Sequence, residues 1–335
     1  MKYRMLGKTE LEVSEVGFGV WTVSTRWWER TDERDDITLL DEALDLGINF
    51  FDTGDIYGLG YGEEILAKAL GKKRNDILIG TKFGYDFYTN VGREGYMERP
   101  QDFSPAFVRY ACEQSLRRLN TDHIDLYQLH NPRLEAIESD DLFETLEALT
   151  SEGKIRYYGS ALGPDIGWFE EGEASMKERK IPALQIIYSI LEQDPAKKFF
   201  HIADEEGTGL LSRAPHAWGM LDGTYDKYTV LAPADHRNHR RQAWLETSLK
   251  KVDQLDFLTR ETDATIGQVA IQFALSRRSI ASILPNITNR EELREFALAP
   301  ETSALSSEVL GRINDLWENN FYLAETPERA TVSET

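Results

Sequence analysis

Short β-rich runs alternate with segments of helical periodicity along nearly the whole chain of 335 residues. Eight strands alternating with helices over this length predict a closed (β/α)8 barrel of the TIM type. A doubly wound open sheet uses the same alternation and is the alternative. The eight runs are residues 16–21, 48–53, 77–83, 124–130, 155–162, 183–189, 209–215 and 280–285.

The glycine spacing argues against the open sheet. A Rossmann dinucleotide-binding unit carries the pattern GxGxxG between its first strand and its first helix. Residues 58–62 read GLGYG instead, in the second unit and after a strand that ends in aspartate. Residues 17–19 read GFG and lack the third glycine. Turn glycines account for both stretches.

Additional segments are expected at both ends and on one rim of the barrel. A hairpin is predicted over residues 3–14, and long loops around 85–103 and 216–262 interrupt the alternation. We expect one domain over residues 1–325 and a disordered tail over 326–335. An additional C-terminal helix is indicated by an apolar face made of Val309, Leu310, Ile313 and Trp317.

Two helix starts can be placed from their capping residues. Ser104 is predicted to cap a helix that begins at Pro105, because serine accepts from free backbone donors and proline suits the first helical turn. Asp263 is predicted to cap the helix that holds Ile266 and Phe273 on its inner face.

The net charge of −20 restricts the partners of the protein. Nucleic acids and anionic membranes call for basic surfaces, so neither is an expected partner. The basic run at residues 235–241 is the local exception and is interpreted as a solvated loop or as an anion-recruiting rim. A saline habitat is another origin of such acidity, which composition alone does not establish.

Cys112 is the only cysteine, which rules out a disulfide framework within the chain and indicates a reducing, cytoplasmic location. Its apolar neighbours indicate a buried helix position. The first residues lack the apolar segment of a signal peptide, and no run reaches the roughly 18 apolar residues of a membrane span.

In a barrel of this kind the chemistry lies at the carboxyl ends of the strands. Asp52, Lys82 and His130 end the second, third and fourth runs, so they are expected to be neighbours on one rim, and Tyr57 follows Asp52 by five residues. Singly, each has a structural explanation as a turn former, a strand end, a core imidazole or loop packing. Together on adjacent positions they indicate a reactive site.

The four side chains suit the reduction of a carbonyl group. Tyrosine, with an unperturbed pKa of about 10, is a poor proton donor at neutral pH. A lysine ammonium beside it favours the phenolate, an aspartate orients the lysine, and a histidine positions the carbonyl oxygen. No serine–histidine–aspartate arrangement is evident, and His236 and His239 lack a carboxylate partner for a metal, so no metal site is predicted.

The sequence resembles the aldo-keto reductase family over residues 1 to about 320. The motifs that carry the resemblance are GFGVW, FFDTGDIYGLGYGEEILAKAL, ILIGTKFG, IDLYQLHNP, GKIRYYGSALG and LQIIYSILEQ. The resemblance implies an extended nicotinamide dinucleotide, NAD(P)H, bound by a barrel without a Rossmann domain. It also implies the catalytic residues Asp52, Tyr57, Lys82 and His130, with Tyr57 as proton donor and the hydride coming from the cofactor.

The resemblance also implies the cofactor contacts, although the chain departs from the family pattern at two of them. Ala161 and Leu162 stand where the family has serine and asparagine on the nicotinamide carboxamide, and Arg213 stands where many relatives stack a tyrosine. The implied contacts are Val20, Trp21, Asp52, Ala161, Gln185, Arg213, Ala214, Pro215, Pro285, Asn286, Thr288 and Glu292.

The preference between NAD(H) and NADP(H) depends on the segment after the last strand. Thr288 stands where a basic residue is expected for a 2′-phosphate, and Glu292 and Phe296 stand where glutamine or arginine and asparagine are common. A carboxylate repels the phosphate and can accept from a free 2′-hydroxyl. We therefore expect NAD(H) or dual specificity, with Arg290 as a competing phosphate ligand.

An aromatic-walled substrate pocket is expected, which suits aryl aldehydes and sugar-type carbonyls. Its expected members are Trp21, Trp27, Tyr57, His130 and Tyr85. Trp28, Phe87, Tyr88 and Tyr96 extend the wall, and Arg93, Arg99 and residues 235–241 offer polar contacts or solvated loop surface.

Two rival functions remain open at this point. Lys82 on a barrel rim could form a Schiff base, as in a class I aldolase. A cofactor-sensing regulatory subunit is the non-enzymatic alternative, although a sensor needs no proton donor. The sequence specifies neither the physiological substrate and direction nor the oligomeric state.

Overall fold

The computed structural model describes residues 1–25, 32–89, 99–163, 168–223, 225, 228–229 and 242–323. An antiparallel hairpin, β1 (Tyr3–Met5) and β2 (Glu12–Ser14), precedes one eight-stranded parallel sheet. Each strand pairs with its neighbours in chain order. These strands are β3 (Phe18–Gly19), β4 (Phe50–Asp52), β5 (Leu78–Phe83), β6 (Ile124–His130), β7 (Ile155–Ala161), β8 (Ala183–Ile187), β9 (Gly209–Arg213) and β10 (Ile280–Leu284).

The sheet closes on itself between its first and last strands. The Gly17 amide donates to the Ile283 carbonyl at 2.8 Å, and the Ile283 amide donates to the Glu15 carbonyl at 2.8 Å. Closure removes the exposed strand edges of an open sheet. The predicted (β/α)8 barrel is therefore confirmed, and the open-sheet alternative is wrong.

Helices between the strands cover the outside of the barrel. Ser104 caps the helix at Pro105 as predicted, accepting from the Phe107 amide at 3.4 Å. Within the described ranges no helix has the length and apolar character needed to cross a membrane. The helices are α1 (Trp21–Ser24), α2 (Glu33–Asp45), α3 (Tyr61–Leu70), α4 (Pro105–Leu119), α5 (Leu134–Ile137), α6 (Asp140–Ser151), α7 (Phe169–Lys177), α8 (Ala196–Glu206), α9 (Gln242–Asp253), α10 (Asp256–Glu261), α11 (Ile266–Leu275), α12 (Arg290–Leu298) and α13 (Ser307–Glu318).

The predicted cap of α11 is wrong by two residues. Thr265, rather than Asp263, accepts from the Gln268 amide, and the Gln268 side chain accepts from the Thr265 amide in return. This reciprocal capping box satisfies two backbone donors at once, which a lone aspartate does not.

The additional segments lie where the sequence placed them, as far as the described residues extend. The hairpin is present, α13 is the additional C-terminal helix, and α9 and α10 fall within the 216–262 insertion. The predicted tail at 326–335 lies outside the described residues, as does part of the 85–103 loop.

The hairpin seals the amino-terminal end of the barrel. Leu6 and Val13 are fully buried in a cluster with Phe50 and Leu211 from two barrel strands. Gly7 lies at its turn with a positive φ of 55°. A Cβ there would lie 2.6 Å from the Pro182 carbonyl oxygen and would also collide with backbone atoms of the barrel. The carboxyl end of the barrel is left for the site.

We expect Gly7→Ala to lower the free energy of unfolding by more than the roughly 1–2 kcal/mol that a positive φ alone costs a non-glycine residue. Gly153→Ala is the matched control, because Gly153 has a φ of 73° but an added Cβ meets nothing within 4 Å. Urea unfolding of both variants measures the difference. Equal losses would show that the hairpin turn is not packed tightly against the barrel.

Candidate active site

A fully enclosed ion pair lies at the carboxyl end of the barrel. Lys82 is 1% exposed, and its ammonium donates to the Asp52 carboxylate and, at 2.7 Å, to the Thr53 carbonyl. Burial alone would lower the pKa of Lys82, but the charge of Asp52 and hydrogen bonds to Asp52 and Tyr57 hold that pKa above its usual value. The lysine is therefore a permanent cation inside the barrel.

The second carboxylate oxygen of Asp52 is held by two buried amides. Gln128 and Gln185 donate their Nε2 atoms to Asp52 Oδ2 at 2.9 and 3.0 Å. With Lys82, donors from β5, β6 and β8 hold both oxygens of the carboxylate in place. Gln128 was not predicted as a site residue from the sequence. It lies two residues before His130 on the same strand and therefore on the same face.

The loop after β4 places Tyr57 against this pair. The Tyr57 amide donates to the Gly54 carbonyl at 3.0 Å, and the Gly62 amide donates to the Tyr57 carbonyl at 2.9 Å. The phenol ring lies so close to Gly54 that a Cβ there would be 3.3 Å from Tyr57 Cζ. The Lys82 nitrogen lies 4.9 Å from the ring centroid, which puts a cation beside the phenol.

His130 completes the group from the end of β6. Its ring meets the rings of Tyr57 and Tyr85 edge to face, at centroid distances of 5.8 and 5.0 Å. Burial, together with the charges of Lys82 and Arg213, lowers the pKa of His130 well below its usual value. The imidazole is therefore neutral at physiological pH, and its buried Nδ1 has no hydrogen-bond partner.

A cleft of about 480 Å³, counted with its open mouth, leads from this group toward β9 and β10. Arg213 lies in the cleft and donates to the Leu162 carbonyl at 2.6 Å, while its buried Nε has no partner. Such an unsatisfied donor suits a polar ligand group. The lining residues are Gly19, Trp21, Asp52, Tyr57, Gln185, Arg213, Ala214, Trp218, Leu284, Pro285 and Asn286.

Of the twelve predicted cofactor contacts, seven line this cleft. The other five are Val20, Ala161, Pro215, Thr288 and Glu292. Val20 is buried, with its amide donating to the Asp52 carbonyl at 2.8 Å. Ala161 is buried, and its carbonyl accepts from the Asn131 amide at 2.8 Å, so this carbonyl is already engaged. Pro215 is also buried. Trp218 also lines the cleft. It was not predicted from the sequence, because it belongs to the insertion after β9.

Thr288 and Glu292 lie farther along, where β10 leads into α12. The Thr288 amide and hydroxyl donate to Glu292 Oε2 at 2.7 and 2.9 Å. Burial raises the pKa of Glu292, against the opposing effect of these hydrogen bonds. Arg290 and Arg294 both form ion pairs with Glu42 of α2, at 3.1 and 2.5 Å.

The predicted aromatic wall is only partly present. Tyr85 packs on the His130 ring, and its hydroxyl accepts from Asn131 at 2.8 Å. Phe87 and Tyr88 do not line the cleft, because both rings pack against the Arg118 guanidinium instead. Trp27, Trp28, Arg93, Tyr96, His236, His239 and the 235–241 run lie outside the described residues.

Lys82 and Asp52 keep different partners when the other member of the ion pair is removed. Substituting one or the other should therefore lower the free energy of unfolding by different amounts. Lys82→Met leaves Asp52 with two amide donors, whereas Asp52→Asn leaves a buried ammonium without a counter-charge. We expect Asp52→Asn to lose about 1–3 kcal/mol more free energy of unfolding at neutral pH. Urea unfolding measures both losses, and a larger loss in Lys82→Met would contradict the assignment.

The pH dependence of Asp52→Asn supplies a second readout. Without Asp52, burial should depress the folded-state pKa of Lys82 below its unfolded value. The unfolded chain then binds more protons, so stability should rise with pH and recover above the unfolded pKa of about 10.4. If the loss of stability in Asp52→Asn stayed constant up to that pH, the buried Lys82 ammonium would not be the origin of that loss.

Comparisons with known proteins agree with this geometry. Residues 15–318 match the model of the Aldo/keto reductase family. The chain is 30% identical over 329 residues to "Uncharacterized oxidoreductase YqkF" of Bacillus subtilis, covering 97% of this chain and 99% of that protein. It is 27% identical to a "Probable voltage-gated potassium channel subunit beta" of Arabidopsis thaliana, covering 92% and 94%.

A solved structure extends the match to three dimensions. The holo form of aldo-keto reductase AKR11C1 from Bacillus halodurans is 32% identical, with a TM-score of 0.75 and coverage of 94% of this chain and 96% of that one. Enzymes of this family use nicotinamide cofactors and act on small-molecule carbonyl compounds. The barrel, the grouped side chains and these matches together establish that the chain belongs to the aldo-keto reductase family of oxidoreductases.

Proposed function

We propose that this protein interconverts an aldehyde or ketone and the corresponding alcohol with NAD(P)H, using Tyr57 as general acid and base. The observation that carries the proposal is the position of the Tyr57 phenol, which lines the cleft beside the enclosed cation of Lys82. A proton donor, a fixed positive charge and a neutral imidazole meet at one point. These three groups suit carbonyl reduction, which requires a proton for the carbonyl oxygen and stabilisation of the charge that develops.

In this proposal Tyr57, Lys82, Asp52 and His130 each have a separate role in the transfer of the proton. When bound, the nicotinamide cofactor supplies the hydride. Tyr57 gives its proton to the carbonyl oxygen, and the Lys82 ammonium stabilises the negative charge left on the phenol oxygen. Asp52 keeps Lys82 charged and in place. A neutral imidazole has one N–H, so His130 can hold the carbonyl oxygen by one hydrogen bond without protonating it.

The cleft offers groups that fit a dinucleotide. Arg213 has an unsatisfied buried Nε and, like other arginines, can stack its planar guanidinium on an aromatic ring or contact a phosphate. The amides of Gln185 and Asn286 lie on the same cleft and can bind a carboxamide. We propose these three side chains as principal contacts, with Val20, Trp21, Ala161, Ala214, Pro215 and Pro285 around them.

The contacts near α12 support use of NAD(H). Thr288 holds Glu292 in a fixed position at the start of α12, where the family resemblance implies the 2′-phosphate of NADP(H) would bind. Arg290, the competing phosphate ligand, is engaged by Glu42. We therefore propose that NAD(H) is used at least as well as NADP(H).

For the substrate we propose a small aryl aldehyde or a sugar-type carbonyl. Trp21 meets the Tyr57 ring edge to face at 5.8 Å, and Tyr85 meets the His130 ring edge to face at 5.0 Å. Aromatic faces of this kind pack against flat rings and against the C–H faces of sugars.

The rival functions fit the geometry less well. A Schiff-base lysine must be neutral and reachable, whereas Lys82 is enclosed, bonded to Asp52 and held protonated by a raised pKa. The channel-subunit relatives make a sensing role a second candidate. A sensor needs the cleft but not a proton donor, so turnover by the isolated protein discriminates between the two.

Tyr57→Phe should lose about 10² to 10⁴-fold in turnover, because only the transferable proton is removed. Its affinity for the reduced cofactor, measured by fluorescence titration, should be unchanged. Tyr61→Phe is the matched control, since it deletes a hydroxyl from the same segment that bonds Glu33 on the surface. A Tyr57→Phe variant as active as this control would refute the assignment.

Cofactor choice is tested by kcat/KM for NADH and NADPH with one substrate. We expect the wild type to favour NADH or to use both, and Glu292→Gln to shift the ratio toward NADPH, because at about 5 Å a carboxylate repels a 2′-phosphate by roughly 3 kcal/mol per charge before screening. Glu291→Gln, an exposed neighbour, should leave the ratio unchanged. A wild-type preference for NADPH of about tenfold or more, which is 1.4 kcal/mol, would contradict the proposal and implicate Arg290.

A further inference from the structure

A second buried ion pair lies behind the loop that carries Tyr57, outside the cleft. Arg118 of α4 donates its Nε to Glu63 of α3 at 2.7 Å, and their side chains are 14% and 0% exposed. Glu63 is in the first turn after the Tyr57 loop, and it also accepts from the Thr81 hydroxyl at 2.6 Å. Thr81 directly precedes Lys82. One carboxylate therefore ties together the tyrosine loop and the strand that carries the lysine.

The loop itself lies directly on the arginine. Gly60, with a φ of 100°, approaches Arg118 so closely that a Cβ would be 2.8 Å from Arg118 Cδ. Asp55, on the other arm of the loop, is fully buried, and its amide donates to the Lys82 carbonyl at 3.2 Å. Burial and the charge of Glu63 raise the pKa of Asp55 well above its usual value, although Arg118 opposes this. Glu63, which contacts the guanidinium directly, is the counter-charge of Arg118.

The Arg118 guanidinium also contacts the next rim loop, which contains Phe87 and Tyr88. Arg118 Nη2 donates to the Tyr88 hydroxyl at 2.9 Å, and the guanidinium carbon lies 5.6 and 5.8 Å from the ring centroids of Tyr88 and Phe87. A few residues earlier in this loop, Tyr85 packs on His130. One arginine thus contacts both loops that flank the candidate site.

We propose that Arg118 is a positioning residue, which fixes Tyr57 through Glu63 and fixes the Tyr85 wall through Tyr88. The role rests on the proposed carbonyl chemistry. Proton and hydride transfer depend on the alignment of Tyr57, His130 and the substrate, and a displacement of about 1 Å can cost about 100-fold in rate. The planar fork of arginine presents its donors to a carboxylate and a phenol in a fixed geometry, which the flexible ammonium of lysine does not.

The ion pair between Arg74 and Asp125 provides a control, because its arginine is as buried as Arg118. Arg74 donates to Asp125 at 2.8 Å, with side chains that are 14% and 1% exposed. Asp125 lies near the beginning of β6, at the end of the barrel away from the site. Arg74→Met and Arg118→Met therefore both remove an arginine from a buried carboxylate, although Asp125 keeps a second arginine, Arg156, at 2.8 Å. Only Arg118→Met touches the loops.

The experiment compares turnover, cofactor affinity and thermal unfolding midpoint in these variants. We expect Arg118→Met to lower kcat about 100-fold while the fluorescence-derived Kd of the reduced cofactor is unchanged. Arg74→Met should lower the midpoint but keep kcat. If Arg118→Met fails to fold, Arg118→Lys replaces it, with a smaller loss of kcat expected and again no change in Kd.

The double variant Glu63→Gln/Arg118→Met separates positioning from stability. It removes both charges, so the unfolding midpoint should recover toward that of the wild type. Turnover should stay low, because the loops are no longer tied together. Recovery of both quantities, or a full kcat in either Arg118 variant, would overturn the positioning role.

The result also distinguishes this inference from the proposed function. If Tyr57→Phe abolishes turnover and the Arg118 variants keep it, the positioning role alone fails. If the wild type has no nicotinamide-dependent turnover, or Tyr57→Phe retains it, the proposed function fails.

Discussion

The enclosed pair of Lys82 and Asp52 is the interaction on which the rest of the site depends. An ammonium without water is tolerable only beside a counter-charge, and Asp52 supplies one while accepting from two glutamines. The parallel barrel meets this requirement because Asp52, Lys82 and Gln128 point inward from three adjacent strands. Moving any of these strands by one residue would turn its polar side chain out of the barrel.

The pair in turn determines what its neighbours can do. The fixed cation lies beside Tyr57, and burial together with the charges of Lys82 and Arg213 keeps His130 neutral. The proton donor on the cleft is therefore in contact with an uncharged imidazole. The loop that presents Tyr57 has no regular structure of its own. Its backbone is held by hydrogen bonds to β5, and behind it by the ion pair that Arg118 forms with Glu63.

The sequence predicted the barrel and the meeting of Asp52, Lys82 and His130 because strand ends can be read from local patterns, and a barrel brings consecutive ends together. Contacts between distant segments could not be found in this way. Arg118 has an ordinary place in a helical pattern, and only the packing of α3 against α4 shows that it binds Glu63. Phe87 is a further example, since the aromatic composition of its segment suggested a pocket wall, whereas its ring packs on that arginine.

The most direct test of the carbonyl chemistry is to follow the hydrogen atoms in one turnover. The purified protein would be incubated in ordinary water with an aryl aldehyde and with reduced cofactor that carries deuterium at both hydrogen positions of nicotinamide C4, and the products would be analysed by mass spectrometry. We expect one deuterium on the carbinol carbon of the alcohol. An alcohol without deuterium, or a borohydride-stabilised adduct on Lys82 formed without cofactor, would contradict the proposed chemistry.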